Sequence, residues 1–173
     1  MRKIYSALAW IIAGGVVVQA AAIAFAFGGV LNRVSNGDVV DKALLESGGA
    51  GGSGELGFWI HGIVGGVVLP LLAVALLVVS LFVRTRGARL WAAITLGLVA
   101  LQVTLGFSIT DVPYLGLIHG ANALAIVVAA VVAAMRVRRM SRAAKESMVS
   151  KPDATGSSDA TGPQEASSDA VSA

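Results

Sequence analysis

The chain has 173 residues, 56% of them hydrophobic and only 13% charged, and its 13 Lys and Arg outnumber its 10 Asp and Glu. It contains no cysteine, which excludes disulfides, thiolate metal sites and a C-x-x-C-H attachment site for covalent haem. The apolar residues gather into four charge-free stretches, 4–32, 56–83, 90–110 and 112–135, and a soluble domain of this size would not sort them so. Each stretch reaches the roughly 20 residues that a helix needs to cross the hydrocarbon core of a bilayer.

In lipid every backbone polar group must be satisfied within its own segment, so helices are the default. The stretches lack the period-2 polarity of membrane barrel strands. The sequence therefore predicts an all-α integral membrane four-helix bundle over residues 1–140. Its helices fall at about 4–30, 56–83, 89–110 and 114–136, and an outer loop covers 31–55.

Helix 1 follows the basic start Met1-Arg2-Lys3. Its apolar run is longer than the 7–15 residues usual in a signal peptide, so Ala24-Phe25-Ala26 reads as membrane span and not as a cleavage site. In the outer loop, a short surface helix is expected around 39–45 with Asp38 as its cap. The stretch "SGGAGGSGELG" that follows reads as flexible linker. Within helix 2, Pro70 removes a hydrogen bond to the carbonyl of Gly66, which predicts a bend there. Helices 3 and 4 are joined by a short turn at Asp111 and Pro113. Beyond helix 4, residues 141–173 are rich in Ser, Ala, Asp, Gly and Thr, with almost nothing apolar to bury. They are expected to form a disordered tail.

Charge placement predicts the orientation. Arg2, Lys3, Arg84, Arg86, Arg89, Arg136, Arg138, Arg139, Arg142, Lys145 and Lys151 fall on one side, and only Arg33 and Lys42 on the other. Both termini are therefore expected in the cytoplasm, with the chain as a multi-pass protein of the cell membrane. The excess of basic residues reflects this topology and is no sign of nucleic-acid binding; the cluster after helix 4 is suited to anionic headgroups.

A repeat lies beneath the pattern. Helices 2 and 4 share Ile-His-Gly at 60–62 and 118–120, and these hold the only two histidines, His61 and His119. Helices 1 and 3 each carry one Trp, Trp10 or Trp91, and one deeper glutamine, Gln19 or Gln102. The natural arrangement is two helical hairpins related by a pseudo-two-fold axis.

Each histidine lies about five residues inside its helix, roughly 7–9 Å below the outer boundary at the rise of an α-helix. The two imidazoles are thus at one level, where neutral imidazole is the axial ligand that a b-type haem requires. Gly65 and Ala123 sit one turn after the histidines on the same face, and Gly62 and Gly120 are adjacent, giving a flat macrocycle clearance. Arg33 or Lys42 are the cations placed to meet its propionates. Two plainer roles compete. Gly62-x-x-x-Gly66 and Gly116-x-x-x-Gly120 are small-residue patterns that serve ordinary helix packing, and the histidines can hydrogen-bond across helices to Gln19, Gln102 or Asn122.

No span contains an acidic residue, so a carboxylate proton relay or cation-coupled transport has no anchor. Two histidines without Asp, Glu or Cys make a poor zinc site, and Ser108, Thr104 and Thr95 have no base in a recognisable arrangement. Two functions lead, ahead of a small-molecule transporter, which four helices can form only as an oligomer and for which no binding residues stand out. One is a haem b protein for electron transfer or haem handling, with a homodimer or a respiratory-chain complex as partner. The other is a cofactor-free accessory or structural subunit.

At the paired histidines the chain resembles one four-helix half of the haem A synthase family, the cytochrome oxidase assembly proteins. That resemblance implies haem binding at His61 and His119, with residues 4–135 matching one half. In the family's substrate half, an acidic residue stands three before the first histidine and an arginine follows it. Here Phe58 and Gly62 stand in those places, and the outer-loop cysteine pair is missing, so haem A synthase activity itself is not expected. Through "HGANAL" and "HGIVG…LP" the chain also resembles small four-helix membrane proteins of high-GC bacteria, which implies the fold and no mechanism.

Overall fold

The computed structural model describes the backbone of residues 1–149 and the side chains of 1–140. Among the described residues all regular structure is helical, with no strand. Helix α1 runs Arg2–Ser35, α2 Lys42–Glu46, α3 Glu55–Ile63, α4 Leu69–Leu81, α5 Ala88–Ser108 and α6 Leu115–Val149. A short 3₁₀ turn, Gly52–Gly54, leads into α3, and one turn of π-helix, Val64–Val68, joins α3 to α4. Four continuous helical segments are long and apolar enough to cross a membrane: Arg2–Ser35, Gly52–Leu81, Ala88–Ser108 and Leu115–Met140.

The boundaries depart from the sequence expectation where hydropathy was the only guide. Helix α1 continues past residue 30 to Ser35, because its stop is the Asn36-Gly37 pair: Gly37 takes φ +89° and its N–H closes on the Val34 carbonyl. Helix α6 runs beyond the expected end at 136, through Val149, and residues 150–173 of the expected tail lie outside the described residues.

Asp38 is not a cap. It pairs with Arg33 at 3.3 Å, and it is Asp41 whose side chain accepts from the Leu44 N–H at 2.9 Å and starts α2. The effect of Pro70 takes the form of the π turn, which lies immediately before α4, where the proline occupies the second position. Widening that turn relieves the clash between the proline ring and the preceding turn of helix.

The expected flexible linker is a packed element. Ala50 is buried, and the backbone of 51–57 lies directly on α1. A Cβ on Gly54 would meet the Ala26 carbonyl at 3.0 Å. One on Gly57 would lie 2.9 Å from the Ala26 N and also run into the Ala22 carbonyl. Glu55 accepts a hydrogen bond from the Gly51 N–H at 2.8 Å. The glycines are there because backbone meets backbone, the close approach that small residues permit between helices.

The buried apolar core occupies one half of the bundle. It takes Tyr5 to Val16 from α1, Leu69 to Val83 from α4 and the residues after it, Ala88 to Val99 from α5, and Ile126 to Val137 from α6. Ala129, Ala130, Ala133 and Ala134 of α6 are all buried, and side chains this small let neighbouring helices approach closely. Tyr5, fully buried, donates its hydroxyl to the Ala88 carbonyl at 2.8 Å and so ties the start of α1 to the start of α5. Removing only this hydroxyl, in Tyr5→Phe, is expected to cost about 1 kcal/mol, the usual net worth of such a bond. Thermal melting of the detergent-solubilised protein should show the loss with no change in helical content.

Candidate functional site

The other half of the bundle, at the end bearing the α1–α3 loop, holds two pairs of helices and a space between them. In the first pair α3 packs on α1. Gln19 donates from its side-chain amide to the Ile60 carbonyl at 3.3 Å, and Phe27 meets Phe58 edge-on at 5.7 Å. In the second pair α5 packs on α6. There the Asn122 side-chain amide donates to the Leu98 carbonyl at 2.9 Å and to Gln102 Oε1 at 2.7 Å.

His61 projects from the first pair and His119 from the second. Their rings face each other with centroids 6.3 Å apart and planes inclined at 48°. His61 Nδ1 lies 3.2 Å from the Gln19 main-chain oxygen. A carbonyl only accepts, so Nδ1 carries the proton and the Nε2 lone pair is left free. His119 Nδ1 is buried; it interacts with the Gln102 main chain but falls outside hydrogen-bonding geometry. The expected histidine–side chain bonds to Gln19, Gln102 and Asn122 are thus not made. Gln19 serves His61 through its backbone, and Gln102 and Asn122 satisfy each other.

The space between the pairs is a cavity of ≈ 520 Å³, within the roughly 300–1,000 Å³ usual for small-molecule sites. All six residues singled out in the sequence, His61, Gly62, Gly65, His119, Gly120 and Ala123, lie on its wall. A Cβ on Gly62 or on Gly120 would meet no atom within 4 Å. Gly65 has a different part. A Cβ there would sit 2.8 Å from Gln19 Oε1, so this glycine makes room for the glutamine.

Sequence reading missed Gly106, where a Cβ would lie 3.3 Å from His119 Cε1. Its signal was its spacing: Val99, Gln102, Val103 and Gly106 form one stripe of α5, and all four line the cavity. The wall carries no charged residue. Arg33 and Lys42, expected near propionates, are engaged in the loop. Arg33 pairs with Asp38 and donates to the Gly49 carbonyl at 3.4 Å, and Lys42 pairs with Glu46 at 3.5 Å.

Among the described residues no cluster of three His, Cys, Asp or Glu is placed to hold a metal ion. Comparison with protein-family models, with curated proteins and with solved structures gives no match for this chain.

Proposed function

We propose that this chain is a multi-pass membrane protein that binds one b-type haem between His61 and His119, for electron transfer or haem handling. The reading assumes two hairpin-like pairs, α1 with α3 and α5 with α6, related by a pseudo-two-fold axis. It places both termini in the cytoplasm, following the excess of basic residues at that end. The resemblance to one half of haem A synthase points the same way.

The observation that carries the proposal is the ring separation. The two imidazole rings lie 6.3 Å apart between centroids and both line one uncharged cavity, so His61 and His119 are the residues that would hold a haem there. The chain's own contribution is positional. His61 Nδ1 is held by the Gln19 carbonyl, which fixes the tautomer and turns the ring. Gly62, Gly120 and Ala123 keep bulk away from the ligand plane, and the apolar wall excludes water. Bound haem would supply a one-electron redox change in that setting. With no cation on the wall, the carboxylates of such a ligand must lie outside the cavity.

The test is a reduced-minus-oxidised absorbance spectrum of detergent-purified protein from cells supplied with haem. A sharp b-type α band near stoichiometric with protein is expected. A colourless, well-folded preparation overturns the proposal and leaves the cofactor-free accessory subunit as the function.

A further inference from the structure

The cavity between the two histidines is not walled on every side. In the packed half of the bundle α4 lies against both α1 and α5; alongside the cavity, α3 packs on α1 and forms no comparable interface with α5. The residues bordering that gap are wall and surface at once. Gly62 and Gly66 line the cavity yet are exposed, and a Cβ on either would meet no atom within 4 Å. On the α5 side Gly106 and Phe107 also line the cavity, and Phe107 is 78% exposed. In a membrane-spanning bundle this gap faces acyl chains, not water.

A second, independent observation concerns Gln19. The residue is only 6% exposed and lies on the cavity wall, and its Oε1 has no hydrogen-bond donor. An acceptor this deep in an apolar setting is costly to leave unpaired. Its oxygen is sealed against Gly65 and not open to the cavity, so the choice of occupant falls to the uncharged wall, which suits a molecule soluble in lipid.

We propose that the gap between α3 and α5 is a mouth through which a flat, lipid-soluble ring compound passes sideways from the bilayer into the His61–His119 cavity. The identity of that compound rests on the haem reading above; the mouth itself does not. The π turn explains why the mouth is where it is, since it divides the segment packed on α5 from the segment that leaves it.

Two experiments test this in phosphatidylcholine vesicles. The chain has no cysteine, so Gly66→Cys gives a single thiol for a nitroxide label. The label is expected to collide freely with dissolved oxygen and hardly at all with a water-soluble nickel chelate. Shielding from both reagents, or a preference for the chelate, overturns the proposal, because the gap would then be closed or water-filled. The second experiment follows haemin dissolved in the bilayer as it loads into the protein. A Gly66→Phe plug is expected to slow both loading and release by about tenfold or more, as a barrier on the route must. Unchanged loading, or faster release, overturns the sideways route, since a damaged site loses its ligand sooner. If wild-type protein takes up no haemin while the label remains open to oxygen, the haem assignment falls and the mouth stands.

Discussion

On the haem proposal, His61→Ala and His119→Ala are each expected to lose the α band, with occupancy down by more than the 10–100-fold that loss of a mere supporting residue costs a metal site. The two imidazoles face each other across the cavity at 6.3 Å, so neither can substitute for the other, and the remaining residues of the wall offer no replacement ligand. The variants should stay folded, because both histidines lie outside the buried core and neither is fully buried. A purely structural role predicts a small loss of stability and no spectral change. The roles separate further on adding imidazole: His119→Gly leaves a hole lined by Gly106, and free imidazole should restore the band. A chromophore that persists in both alanine variants would refute His61 and His119 as its ligands.

The second large effect is expected at two neighbouring glycines of α1. Gly28 has open space where its Cβ would be, whereas a Cβ on Gly29 would lie 2.6 Å from the Gly54 N and also strike the Gly51 carbonyl. Backbone atoms cannot move aside as a flexible side chain can. Gly29→Leu should therefore cost about 3 kcal/mol or more, at the upper end of overpacking penalties. Gly28→Leu exchanges a poor helix former for a good one on an exposed face and should be neutral or stabilising by up to about 1 kcal/mol. Unfolding of the two proteins in a series of mixed detergent micelles measures the difference. Equal stabilities would show that the 51–57 segment does not rest on α1.

These cases also show which features the sequence made legible. Hydropathy located the four long helices because charge exclusion from lipid is severe and leaves a coarse mark. The matched Ile-His-Gly triplets brought His61 and His119 to one level because equal depth on two helices constrains position strongly, and the two rings lie 6.3 Å apart. The glycine-rich loop was misread because composition alone cannot separate a glycine needed for freedom from one needed for closeness. The clue was the small-residue spacing of Ala22, Ala26 and Gly29 on α1, which answers Gly54 and Gly57. Asp41 and Asp38 both precede the same helix, and which one caps it depends on where the chain turns after Arg33. Gly65 looked like clearance for a ligand; its actual neighbour, Gln19, belongs to a different helix and is revealed only by packing.

The one-sided core has a mechanical consequence. Buried alanines and the Tyr5–Ala88 bond tie one end of the molecule together, while at the other end two helix pairs flank the cavity like the prongs of a fork. A small rotation at the base would be magnified along prongs of several turns and would change the ring-to-ring spacing. Whatever bridges His61 and His119 would therefore act as a clasp as well as a guest, stiffening the open end. Lateral squeezing by the surrounding leaflet would bear on that same spacing.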